Sequence, residues 1–162
     1  MLLGIISDTH MPRGARRLPD TCVERLLGVD LILHAGDVMT AEALTSFESI
    51  GPPLLAVHGN VDSTELRERL PAERIVEVGG AALAMVHDAG AARGRLQRLH
   101  RRFPDADAVV FGHSHLPLHE QADGFQIFNP GSPTERRRAP TRTMGLAHAD
   151  AGRVRFELVE VG

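Results

Sequence analysis

Along the chain, short runs of Val, Ile and Leu alternate with segments whose apolar positions recur at helical spacing. The runs predict strands at 2–7, 30–34, 53–58, 74–78, 82–87 and 108–112. Helical periodicity covers 20–28, 40–50, 63–70 and 93–103, with Thr40 and Ser63 placed as N-caps and Pro71 and Pro104 as stops. Beyond residue 116 the pattern becomes that of hairpins, turned at Asp123-Gly124 and Ala151-Gly152. No repeat, low-complexity tract or linker interrupts this order. The expectation is one domain over 1–162, of α/β class, built on a mixed sheet or a pair of packed sheets.

Five of the predicted strands lead into metal-competent side chains. The first runs into Asp8-Thr9-His10, the second into Gly36-Asp37 and the third into Gly59-Asn60; the fifth ends in His87, and the sixth enters Gly112-His113-Ser114-His115. In α/β sheets ligands collect outside the carboxyl ends of strands, and glycines at 36, 59 and 112 permit sharp exits toward one crevice. Singly these signals are weak, because a histidine at a strand end is commonly a hydrogen-bonded core residue and Gly-Asp is a common turn. The set is specific. Two carboxylates, one amide oxygen and four imidazoles form a nitrogen and oxygen donor list suited to Mn²⁺, Fe or Zn²⁺, without a thiolate. Seven donors exceed what one such ion with an open position takes. They suit two ions sharing a carboxylate, the arrangement that clamps attacking and leaving oxygens in phosphoryl transfer.

Composition narrows the partners. The 162 residues carry a formal charge of −3, so no general basic field speaks for nucleic acid or an anionic membrane. Without Trp or Tyr there is no stacking platform either, and extended nucleic-acid binding is not expected. No apolar run approaches the ~18 residues that span a bilayer. MLLGIISDTH lacks the basic and long apolar regions of a signal peptide, which makes the cytoplasm the expected compartment. Cys22, the single cysteine, lies in a helical pattern and reads as a small core residue. All 18 basic residues are arginine, which fits a GC-rich genome and also bidentate phosphate binding.

Asp8-x-His10, Gly36-Asp37, Gly59-Asn60-Val61-Asp62, His87 and Gly112-His113-x-His115, in this order, resemble the motifs of the calcineurin-like metallophosphoesterase superfamily, most nearly its small YfcE-type phosphodiesterases. Asn129-Pro130-Gly131-Ser132 extends the likeness over nearly the whole chain. The resemblance implies a four-layer-like sandwich of two mixed β-sheets flanked by helices. It implies that Asp8, His10 and His115 hold one divalent ion, that Asn60, His87 and His113 hold a second, and that Asp37 bridges both. Manganese is expected, with iron, zinc, nickel or cobalt as alternatives. A hydroxide shared by the two ions would attack the phosphorus of a small phosphate ester, making Asp37, Asn60 and His87 catalytic through the metals. The resemblance also leaves room for a homodimer. A rival reading comes from the retromer scaffold subunit, which resembles these enzymes yet works chiefly through protein contacts, so a catalytically weak scaffold is the alternative. A mononuclear metal-binding protein is a third.

The remaining candidates have less specific signals. His34 and His58 precede ligand turns and are expected in supporting or core roles, whereas His100, His119 and His148 read as surface. Asp62 either orients a ligand or holds a turn. Arg13 and Arg16 come soon enough after the first ligand turn to reach a phosphate, and Arg136, Arg137, Arg138 and Arg142 form a second candidate rim. Two positions depart from common patterns of the family. Val61 stands where many members carry a proton-donating histidine, and Asp88 comes after His87 where small relatives often continue Gly-His. Asp88 is thus a candidate substrate residue at the pocket mouth, a partner for an imidazole N–H, or an inert turn residue.

Overall fold

The structure, a computed structural model, describes residues 1–162. In chain order the elements are β1 Leu2–Ile6, α1 Asp20–Leu27, β2 Leu31–His34, α2 Ala41–Glu48, β3 Leu54–Ala56, α3 Thr64–Arg69 and β4 Glu73–Val78. The chain continues with β5 Ala81–Val86, α4 Arg95–Arg102, β6 Ala108–Val110, β7 Leu118–Ala122, β8 Phe125–Asn129, β9 Thr143–Asp150 and β10 Arg153–Glu160. These build two five-stranded sheets, β10-β9-β1-β2-β3 and β4-β5-β6-β8-β7. Both are mixed: β1 runs parallel to β2 and antiparallel to β9, while β6 is parallel to β5 and β8, and β4 and β7 run antiparallel to their neighbours.

The continuous apolar runs predict this layering, since a strand covered on both faces has no polar side to present. Leu3, Ile5 and Leu33 of the first sheet meet Val78, Leu83, Met85 and Phe128 of the second in the seam between the sheets. On the outer face of the first sheet, Ile6 and Ile32 pack against Cys22 and Leu26 of α1 and Leu44 and Phe47 of α2. Across the second sheet, Ala84, Val109 and Ile127 pack with Leu99 of α4 and with Phe103. The result is helices, sheet, sheet, helix, the sandwich that the resemblance implies.

Thr40 and Ser63 cap α2 and α3 as expected, accepting from the Ala43 N–H at 3.2 Å and the Leu66 N–H at 3.3 Å. Asp123-Gly124 and Ala151-Gly152 turn the two late hairpins with left-handed backbone at both residues of each pair. Three details differ from expectation. A further hairpin joins β4 to β5 through Gly79-Gly80, also left-handed at both positions. Strands β3 and β6 stop at Ala56 and Val110, short of their apolar runs, although the Val57 and Phe111 N–H groups still donate to the His34 and Phe128 carbonyls of neighbouring strands at 3.1 and 3.0 Å. Helix α4 begins two residues late, at Arg95, behind a left-handed Gly94.

Candidate metal centre

The exits of β1, β2, β3, β5 and β6 converge at one end of the sandwich. Five of the seven expected ligands take positive φ: Asp8 57°, His10 45°, Asp37 61°, His113 73° and His115 61°. Non-glycine residues in this region cost about 1–3 kcal/mol each and gather where function requires them. The ligand residues themselves therefore make the sharp turns expected of the glycines. Of those three glycines only Gly36 is left-handed, with φ 99°. Gly59 and Gly112 are required for space instead: a Cβ on Gly59 would overlap the Asp37 carboxylate, and one on Gly112 would overlap Ser7 Oγ.

Two groups of donors result, Asp8, His10 and His115 in one and Asp37, His87 and His113 in the other. In the first, His115 Nε2 lies 3.5 Å and His10 Nε2 4.0 Å from Asp8 Oδ1. In the second, Asn60 Oδ1 lies 3.1 Å from both His87 Nε2 and His113 Nδ1. Asp37 Oδ2 stands between the groups, 3.3 Å from His10 Nε2 and 3.1 Å from His87 Nε2. Both ring nitrogens of His10 and the Nε2 of His115 are buried without any hydrogen-bond partner. An unsatisfied buried polar atom costs about 1–3 kcal/mol, so three in one group are a heavy penalty unless a further species meets them. A divalent cation fits this donor set of imidazole, carboxylate and amide oxygen.

Hydrogen bonds behind the ligands fix their orientation. His87 Nδ1 donates to the Ala35 carbonyl at 2.7 Å and His115 Nδ1 to that of Glu135 at 3.0 Å, which leaves each Nε2 facing the carboxylates. Asp8 accepts from Ser7 Oγ at 2.9 Å and from the His113 N–H at 3.0 Å, so the first and last ligand turns are joined directly. Asp62 accepts from the backbone N–H groups of Asp37, Met39 and Gly59 at 3.1, 2.6 and 2.6 Å and bonds no imidazole. Of its two candidate roles, it holds turns. His34 is fully satisfied, with Nδ1 accepting from the Gly36 N–H and Nε2 donating to Thr9 Oγ1.

Burial dominates the electrostatics. It pushes the Asp8 carboxyl up to about 6 against the pull of His87, and brings His115 and His34 down to about 4. Burial also raises Asp37, but the imidazoles of His10 and His87 outweigh it and hold the carboxyl well below its ordinary range. For His87 burial is likewise overcome, here by the Asp37 carboxylate, and the ring rises to about 8. Cys22 is a buried core residue, as expected, with its thiol pushed up to about 12.

The expected substrate arginines are not gathered at these donors. Arg13 is exposed, and Arg16 pairs with Glu135 at 3.3 Å; neither guanidinium bonds any of the seven residues. Asp88 is exposed at the crevice edge, its Oδ1 accepting from the Gly90 N–H at 2.8 Å. His100, His119 and His148 are exposed, the first stacked on Phe125. Several supports have roles that the sequence does not assign. Ser132 Oγ donates to the Asp8 carbonyl and Thr134 Oγ1 to that of Thr9, both at 2.8 Å. Arg67 clamps the carbonyls of Asp62 and Asn60 at 3.1 and 2.5 Å. Only Ser132 carries a signal in the sequence, as the last residue of Asn129-Pro130-Gly131-Ser132.

Fold and donor groups together define the metallophosphoesterase class. Residues 1–152 match the calcineurin-like phosphoesterase superfamily domain, and the chain belongs to that superfamily. It is 33% identical over 164 residues to a probable metallophosphoesterase of Methanothermobacter thermautotrophicus, spanning 100% of this chain and 94% of that protein. A phosphodiesterase of Methanocaldococcus jannaschii is 27% identical over 147 residues, 81% of this chain and 83% of its own. In fold the chain resembles the crystal structure of Chaetomium thermophilum Vps29, with a TM-score of 0.79 at 20% identity over 98% of this chain and 93% of that one.

Proposed function

We propose that the protein is a phosphodiesterase holding two divalent ions, manganese first among the candidates, with Asp8, His10 and His115 on one, Asn60, His87 and His113 on the other, and Asp37 shared. The observation that carries this reading is the position of Asp37 Oδ2, within 3.3 Å of imidazoles from both groups. Two ions in such a frame would supply Lewis acidity to phosphoryl oxygens and lower the pKa of bound water to around 7. The chain's own residues set the rest. The low carboxyl of Asp37 keeps it anionic, and the Ala35 carbonyl holds the His87 ring in place. Val61, exposed beside Asn60, has no proton to give a leaving group. Diesters whose leaving groups are stable anions are therefore preferred over alkyl monoesters.

The likeness to a named phosphodiesterase supports the reading, and the likeness in fold to Vps29 supports the scaffold alternative. Metal stripping followed by Mn²⁺ readdition, with bis(p-nitrophenyl) phosphate as substrate, separates them. Restored hydrolysis, faster than that of alkyl phosphomonoesters, is the expected result. Full metal occupancy without turnover of either ester favours the scaffold, and faster monoester turnover overturns the diester preference.

A further inference from the structure

Beside the second donor group a cavity of about 310 Å³ opens against Asn60 and His87, lined also by His58, Arg67, Arg102 and Asp88. Its size is that of a small-molecule subsite, and most of the side chains around it carry polar or charged ends. Two of its nine lining residues are hydrophobic, and none is Phe, Tyr or Trp.

The charges discriminate further. Arg67 and Arg102 present guanidinium donors, and each keeps N–H groups beyond those used on the carbonyls of Asn60 and Asp62 and on Glu73. Asp88 presents the opposite character, since Oδ1 takes the Gly90 N–H and Oδ2 accepts nothing. A cation entering here meets two arginines, and an anion meets a carboxylate. A hydroxyl donates and accepts at once, so neutral hydroxyl groups suit both walls. We propose that this cavity binds a neutral polyhydroxylated arm of the phosphodiester, of glycerol or monosaccharide type, with Asp88 accepting from its hydroxyls and Arg67 and Arg102 donating to them. The inference rests on the diesterase reading for the identity of the substrate, but the cavity can be tested without it.

Two p-nitrophenyl diesters that share a leaving group and differ only in the other arm, glyceryl and methyl, give the kinetic test. The metal-loaded protein is expected to favour the glyceryl ester by about 10-fold or more in kcat/KM, as a few hydrogen bonds to one arm provide. Asp88→Ala should bring the ratio close to one, and Asp88→Asn, which keeps an acceptor, should retain part of it. Equal kcat/KM values for the two esters in the unmodified protein overturn the proposal. If neither ester turns over, the diesterase reading fails, and the cavity is judged by titrating the metal-free protein with glycerol or with inorganic phosphate while monitoring backbone amide resonances. Glycerol should shift Gly59, Asn60 and Asp88 in the natural protein and not in Asp88→Ala. Shifts from phosphate alone would make the cavity an anion subsite, and no shift from either probe also refutes the polyol assignment.

Discussion

The two donor groups are built alike and exposed differently. Asp8, His10 and His115 are 0%, 1% and 0% accessible, whereas Asn60 and His113 in the other group lie open to solvent. The closed group contains all three partnerless ligand nitrogens; in the open group Asn60 Oδ1 satisfies both His87 and His113. Without an ion, then, the closed group is left with unmet demand and the open group closes on itself. Burial without partners creates a strong appetite for a cation, while exposure leaves room for substrate. With the two proposed ions bound, this asymmetry alone would divide them into a retained ion and a working ion.

Replacing the one residue common to both groups gives the largest effect. Asp37→Ala should empty both, measured as metal per chain by mass spectrometry, with phosphodiester turnover falling by more than about 10²-fold. Next come single ligands. His113→Ala should keep one tightly held ion, whereas His115→Ala should leave an ion that a chelator removes readily, with affinities about 10–100-fold apart. Equal ease of stripping in the two variants breaks the closed and open distinction.

Backbone packing behind the two groups provides a smaller contrast. Gly112→Ala crowds Ser7 and Asp8 on the closed side, and Gly59→Ala crowds Asp37 between the groups. Urea unfolding should show a loss of about 1–3 kcal/mol for each. Metal content should fall at both groups in Gly59→Ala and chiefly at the closed group in Gly112→Ala.

The smallest expected effect is on pH dependence in metal-free protein. His34 and His115 lie near 4 when folded against 6.5 in the unfolded chain, so between those values the unfolded state binds more protons and stability falls as the solution is acidified. Asp8, raised from 3.8 to about 6, binds its extra proton in the folded state and opposes this, as does His87, raised from 6.5 to about 8, to a smaller extent because most of its effect lies above pH 6.5. The net loss from pH 6.5 to 4 should be on the order of 1–2 kcal/mol, and His34→Asn should flatten it. A thermal melt at each pH checks both statements.

Much of this is legible in the sequence because strands and hairpins leave periodic marks. The runs through Leu2–Ile6 and Leu31–His34 betray doubly covered strands, and Asp-Gly and Ala-Gly pairs mark the late turns. The seven donors are legible as strand-end residues. The pattern cannot carry the reason for each glycine, because room beside Ser7 or Asp37 depends on a neighbour far off in the chain. The same holds for Ser132, which meets the Asp8 carbonyl across 124 positions, and for Arg67, whose clamp on the Asn60 turn has no periodic trace. Asp62 reads equally as a turn-holder or a ligand-orienter until three backbone donors converge on it in the folded chain.

Each donor group draws on both sheets: Asp8, His10, Asp37 and Asn60 leave the first, and His87, His113 and His115 the second. An ion held there is therefore a rivet across the inter-sheet seam, and the unfolding equilibrium acquires a dependence on free metal. Each tenfold rise in metal above its dissociation constant adds about 1.4 kcal/mol per site to the folded state. With the proposed ions bound, the melting temperature would become a gauge of metal supply, readable without any substrate, and starvation for the ion would loosen the two halves of the molecule.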